Sequence, residues 1–83
     1  MNVESTADVY YHLACLKYDR NDYHATIAEL TKAIHLKPNF AAAYSFRGIT
    51  YLALDRKCQA SKDFLTAEEL GLRIPMNILE MCQ

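Results

Sequence analysis

Two stretches decide the fold. Residues 7–38 read ADVYYHLACLKYDRNDYHATIAELTKAIHLKP and residues 41–72 read AAAYSFRGITYLALDRKCQASKDFLTAEELGL, and they lie over one another at an offset of 34. The overlay pairs Ala7 with Ala41, Tyr10 with Tyr44, Ala33 with Ala67 and Leu36 with Leu70. Conservative pairs fill in between: Ala14 with Gly48, Thr26 with Ala60, Glu29 with Asp63, Leu30 with Phe64. The matches fall at large-apolar and small positions, which is where a repeated helical unit keeps its packing residues.

Within each unit the apolar spacing is helical. Tyr10, Leu13, Ala14 and Lys17 stand at i, i+3, i+4 and i+7, and Tyr23, Ile27, Leu30, Ala33 and Ile34 continue the pattern. The first helix is expected to start after Ser5-Thr6, with Asp8 in its first turn. Asp19-Arg20-Asn21-Asp22 reads as a turn in which Asn21 takes a left-handed conformation and Asp22 caps the next helix. That second helix is expected to end near Leu36-Lys37, because Pro38 disfavours a helical residue before it. Asn39 offers a cap for a third helix over about residues 40–53. Its core stripe would be Tyr44, the Arg47 stem, Gly48 and Tyr51. A turn at 54–56 leads to a fourth helix near 57–70, with Gly71 as its C-terminal cap. Small Ala14, Ala33, Gly48, Ala60 and Ala67 would let paired helices approach, and Tyr10, Leu30, Tyr44 and Phe64 would fill the space between them.

Composition narrows the function classes. Nine basic against ten acidic side chains, evenly spread over both halves, leave no basic stripe of the kind that neutralises phosphates. No apolar run approaches the roughly 20 residues needed to cross a bilayer. The N-terminus lacks the basic start and apolar run of a secretory signal. Cys15, Cys58 and Cys82 are odd in number and contain no CxxC pair, which argues against a disulfide framework and for a reducing, cytoplasmic compartment. His12 and Cys15 are three residues apart, but His24, His35, Cys58 and Cys82 offer no complementary spacing for a four-ligand zinc site. Cys15 has no well-placed base to make it a nucleophile. Asp63, Glu68 and Glu69, interleaved with Lys62, read as a solvated face. No glycine-rich phosphate loop or GxSxG occurs. No catalytic residue, metal or cofactor is expected.

The two units resemble the tetratricopeptide repeat (TPR) family, with its 34-residue period and its pattern of aromatic, two residues, Leu, Gly, two residues, Tyr, then Ala, three residues, Phe, then Pro. The first unit matches through Tyr10, Leu13, Ala14, Thr26, Leu30 and Pro38, and the second through Tyr44, Gly48, Tyr51, Ala60 and Phe64. Departures are Lys17 for an aromatic, Arg47 for Leu, and Leu72 where Pro38 would recur. The resemblance implies an all-α protein of tandem antiparallel helix hairpins stacked as an α-α superhelix. Residues 1–6 would be a leader, 7–40 the first repeat, 41–74 the second, and 75–83 the start of a further repeat or a short capping helix. Adding 34 to Tyr44, Arg47 and Gly48 lands on Ile78, Met81 and Cys82, so the chain reads as a piece of a longer solenoid. Helical repeats that bind RNA one base at a time would need a positively charged groove, which this charge balance argues against.

The resemblance also implies a function: a non-catalytic scaffold or adaptor whose first helices line a concave groove for a peptide or helix of a partner protein. A helical wheel places Asp8, Tyr11, Cys15 and Tyr18 of the first helix on that face, and Ser45, Ile49 and Leu52 on the equivalent face of the third. Tyr11 and Tyr18 stand out as anchors. The family's best-known ligands are the acidic tails of cytosolic chaperones, held by Lys, Asn and Arg. The corresponding places here are Tyr11, Cys15, Phe46 and Ile49, so chaperone-tail binding is not expected. The alternative function is self-association through the C-terminal end, using Ile78, Leu79 and Met81. Neither nucleic acid nor membrane is an expected partner.

Overall fold

A computed structural model describes residues 3–74, with side chains from Thr6 onward. It contains four helices: α1 (Val3–Asp19), α2 (Tyr23–Leu36), α3 (Ala41–Ala53) and α4 (Lys57–Glu69). The architecture is all-α. α1 packs on α2, α3 on α4, and α2 joins the two hairpins by packing on α3. The shortest dimension is 15 Å. Two layers of helices with axes about 8–10 Å apart and Cα radii of about 2.3 Å occupy that thickness.

Turn chemistry repeats with the helices. At the end of α1, the Asp22 amide donates to Lys17 O and the Asn21 amide to Tyr18 O, both at 2.9 Å, with Asn21 at φ 62°. At the end of α3, Arg56 donates to Tyr51 O and Asp55 to Leu52 O, again at 2.9 Å, with Asp55 at φ 58°. α4 closes in the same way: Leu72 donates to Ala67 O and Gly71 to Glu68 O, with Gly71 at φ 106°. In each case the left-handed residue turns the chain sharply and satisfies the last carbonyls. α2 ends differently. Lys37, preceding Pro38, takes an extended conformation (φ −138°, ψ 83°) that halts the helix at Leu36.

Two expected helix starts move. α1 begins at Val3, so Ser5 and Thr6 lie inside its first turns rather than capping it. The N-cap of α3 is Phe40, which has no side-chain cap bond, and Asn39 sits one residue too early to cap it. Asp22 does cap α2, its Oδ1 accepting from the Ala25 amide at 3.3 Å.

The core is built as the small-and-large pattern requires. Ala7, Ala14, Ala33, Ala43, Ala60, Ala67 and Leu30 are fully buried, and Phe64 nearly so. A Cβ on Gly48 would stand 3.0 Å from two ring carbons of Phe64 and 3.2 Å from the carbonyl oxygen of Ala60, which is why α4 can lie this close only over glycine. Thr26 and Thr50 are also fully buried; their hydroxyls donate to the carbonyls of Asp22 (2.8 Å) and Phe46 (2.9 Å). Tyr10 and Tyr44 are half-buried, each under a cation: Lys32 Nζ is 5.5 Å from the Tyr10 ring centroid and Arg47 Cζ is 5.6 Å from that of Tyr44.

One buried carboxylate sits in each hairpin, at equivalent places. Glu29 of α2 is 5% exposed and meets Lys17 of α1 at 3.3 Å and Lys32 at 3.1 Å. Burial alone pushes its pKa up, but hydrogen bonds and charge attraction from the two lysines outweigh this and hold it below the ordinary value. Asp63 of α4 is 6% exposed. The Arg47 guanidinium donates to it twice, from Nε at 2.7 Å and from Nη2 at 2.8 Å, and from Nη1 to Thr31 Oγ1 of α2 at 3.3 Å. Asp63 therefore does not belong to a solvated face with Glu68 and Glu69. Its cation lies 16 residues away on α3. The two sequence departures, Lys17 and Arg47, are the cations that pair the two buried carboxylates. Among the described residues no buried side-chain oxygen or nitrogen lacks a partner.

Candidate functional site

An open cleft of about 330 Å³ runs between α1 and α3, lined by Tyr11, Cys15, Ala42, Ser45, Phe46, Ile49 and Leu72. Four of the seven expected groove residues come together in it: Tyr11, Cys15, Ser45 and Ile49. The other three do not line it. Asp8 is exposed on the first turns of α1, and Leu52 is half-buried further along α3. Tyr18 lies in an aromatic cluster, its ring 5.3 Å from those of both Tyr23 and Phe46. Contacts on two sides make Tyr18 part of the support under the cleft rather than a free anchor.

Tyr11 is similarly held. Its ring stacks on Phe40 with centroids 5.2 Å apart and meets Phe46 edge-on at 5.6 Å, and it packs on the buried Ala14, Leu30 and Ala43. Burial, and secondarily Cys15, pushes its hydroxyl pKa above the ordinary value, so it remains a neutral donor at neutral pH. Cys15 is a half-buried free thiol. Ile49 is 44% exposed. The cleft thus has a rigid aromatic wall, an exposed aliphatic rim and three small polar groups: the Tyr11 hydroxyl, the Ser45 hydroxyl and the Cys15 thiol. No charged side chain of the described residues lines it.

Sequence reading placed Phe46 at a ligand-holding position of the groove through the family resemblance, though not on the helical-wheel face, and it missed Leu72 as a rim residue. Phe46 lies beside the helical-wheel stripe and reaches the cleft because α1 passes close over it. Leu72 is brought round by the left-handed turn at Gly71; glycine followed by leucine at the end of α4 was the available signal.

A second open hollow, about 340 Å³, is lined by Tyr10, Thr31, Lys32, His35 and Leu36. It lies on one hairpin alone, and Lys32 already spans its floor between Glu29 and the Tyr10 ring.

Cys58 is disulfide-bonded, a correction to the expectation drawn from the odd cysteine count. Ile78, Leu79 and Met81 of the expected self-association end lie outside the described residues. His12, His24 and His35 are all exposed, and no group of three or more His, Cys, Asp or Glu among the described residues could hold a metal ion. No described helix is long and apolar enough to cross a membrane. Neither a family model nor a curated protein matches the chain.

Proposed function

We propose that this chain is a non-catalytic protein-interaction module of the TPR kind, and that the cleft between α1 and α3 receives an apolar segment of a partner protein. The observation that carries the reading is the cleft's make-up: two equivalent helices of successive hairpins, a preassembled aromatic wall, and an exposed Ile49 with no interior role. A preformed apolar site gains from burying area, at about 25 cal/mol per Å², without first ordering itself. An uncharged lining disfavours acidic tails, whose carboxylates would lose water and gain no cation. The 34-residue period, the small-residue contacts at Ala14 and Gly48 and the paired hairpins support the TPR assignment.

The test selects peptides from a displayed random library on the full chain and measures them against Ile49→Glu. Selected peptides should be rich in Leu, Ile, Phe or Trp, should lose at least about tenfold in affinity on Ile49→Glu, and should shield Cys15 from alkylation. Peptides that bind the variant equally well and leave Cys15 reactive would remove the cleft from the function.

A further inference from the structure

The interface between the two hairpins is written into both outer faces of the chain. On α3, Ala43, Phe46, Arg47 and Thr50 form one stripe: Ala43 and Phe46 belong to the cluster with Ala14 and Leu30 of the first hairpin, Arg47 reaches Thr31, and Thr50 is fully buried. The 34-residue offset carries this stripe onto Val9, His12, Leu13 and Leu16 of α1. These form an i, i+3, i+4, i+7 stripe on which Val9 is 52% and Leu16 59% exposed, His12 is exposed and Leu13 is half-buried. On the other side of the interface α2 presents Thr31 and Ile34 to α3, and the offset carries them to Leu65 and Glu68 of α4, where Leu65 is 44% exposed.

The substitutions change together on the two faces. Within the chain Thr31 meets Arg47, a polar pair at 3.3 Å; its counterpart across the outer faces is Leu65 against Leu13, an apolar pair. Within the chain Ile34 and Phe46 pack on one apolar cluster; their counterpart is Glu68 against His12, a pair able to hydrogen-bond. Ala43 and Thr50 become the larger and more apolar Val9 and Leu16. An outer face meant for water would not gain Val and Leu where the buried interface manages with Ala and Thr.

We infer that α4 of a second copy of this chain docks on α1, head to tail, in the manner in which α2 packs on α3. This inference is independent of the cleft. The two surfaces differ, so the contact is heterologous and propagates into longer stacks instead of closing as a two-fold dimer.

Sedimentation velocity on the full chain, from micromolar to millimolar, reads the result. The wild type should grow in sedimentation coefficient with concentration past the dimer value. Leu16→Asp spoils only the α1 face and Leu65→Asp only the α4 face. Both positions are exposed, so both variants should keep the wild-type circular dichroism and melting temperature. Each alone should be at least about tenfold weaker in self-association. Mixed together, they should form a finite one-to-one heterodimer, because each supplies the face the other lacks. A wild type that stays monomeric at millimolar concentration overturns the inference, whether residues 75–83 or some other segment covers α4. So does a stack indifferent to Leu16→Asp, or one in which mixing the variants restores nothing.

Discussion

Replacing Arg47 by Leu puts at this position the residue that the resemblance would have there, and the structure says it should be costly. Asp63 stays where it is, at 6% exposure, and loses two short hydrogen bonds and its only described cation. Removing one partner of a buried ion pair costs about 3–5 kcal/mol. The expected loss is therefore about 3–5 kcal/mol, and at about 4 °C or more per kcal/mol for a domain of this size the melting temperature should drop by at least about 12 °C. Urea unfolding of Arg47→Leu, Asp63→Leu and the double variant forms a closed cycle. The double variant should recover to within about 1 kcal/mol of the wild type, because two apolar side chains of similar bulk leave no orphaned charge. An Arg47→Leu protein as stable as the wild type at pH 7 would refute the reasoning.

Two further expectations concern the other buried groups. Glu29 has a folded pKa below its ordinary value, so its contribution is present above about pH 4.5 and is lost as pH falls through the depressed value; the wild type should lose stability over that acid range while Glu29→Gln shows a flatter profile by urea midpoints. Gly48→Ala gains about 1 kcal/mol of helix propensity but forces contacts of 3.0 Å with Phe64 and 3.2 Å with the Ala60 carbonyl. Overpacking of about 1–3 kcal/mol should leave the variant less stable by up to about 2 kcal/mol, and Phe64→Leu in the same chain should cost less than the two changes added separately.

The fold was legible because its determinants are local and periodic. Small residues at Ala14, Ala33, Gly48, Ala60 and Ala67, turn residues at Asn21 and Gly71, and the breaker Pro38 each act within a few residues of where they stand. What depended on distant partners was not legible. Asp63 reads as solvated beside Lys62 and Glu68, and only the approach of α3 reveals Arg47 as its partner. Tyr18 has the spacing of a groove residue, but rings from two other helices, Tyr23 and Phe46, pack against it while it stays half-buried. Asn39 is a good capping residue that the geometry after Pro38 leaves one position short. A helical wheel suffices to put Tyr11, Cys15, Ser45 and Ile49 on facing sides of helices, and the fold brings those four to one cleft. Leu72 was not legible, because only the turn at Gly71 brings it to the cleft.

The Arg47 side chain holds α4 through Asp63 and α2 through Thr31 while anchored on α3. A single guanidinium thus clasps three of the four helices across the seam between the hairpins. Loosening that clasp would slacken the seam between the hairpins as well as the second hairpin itself, because one side chain serves both contacts.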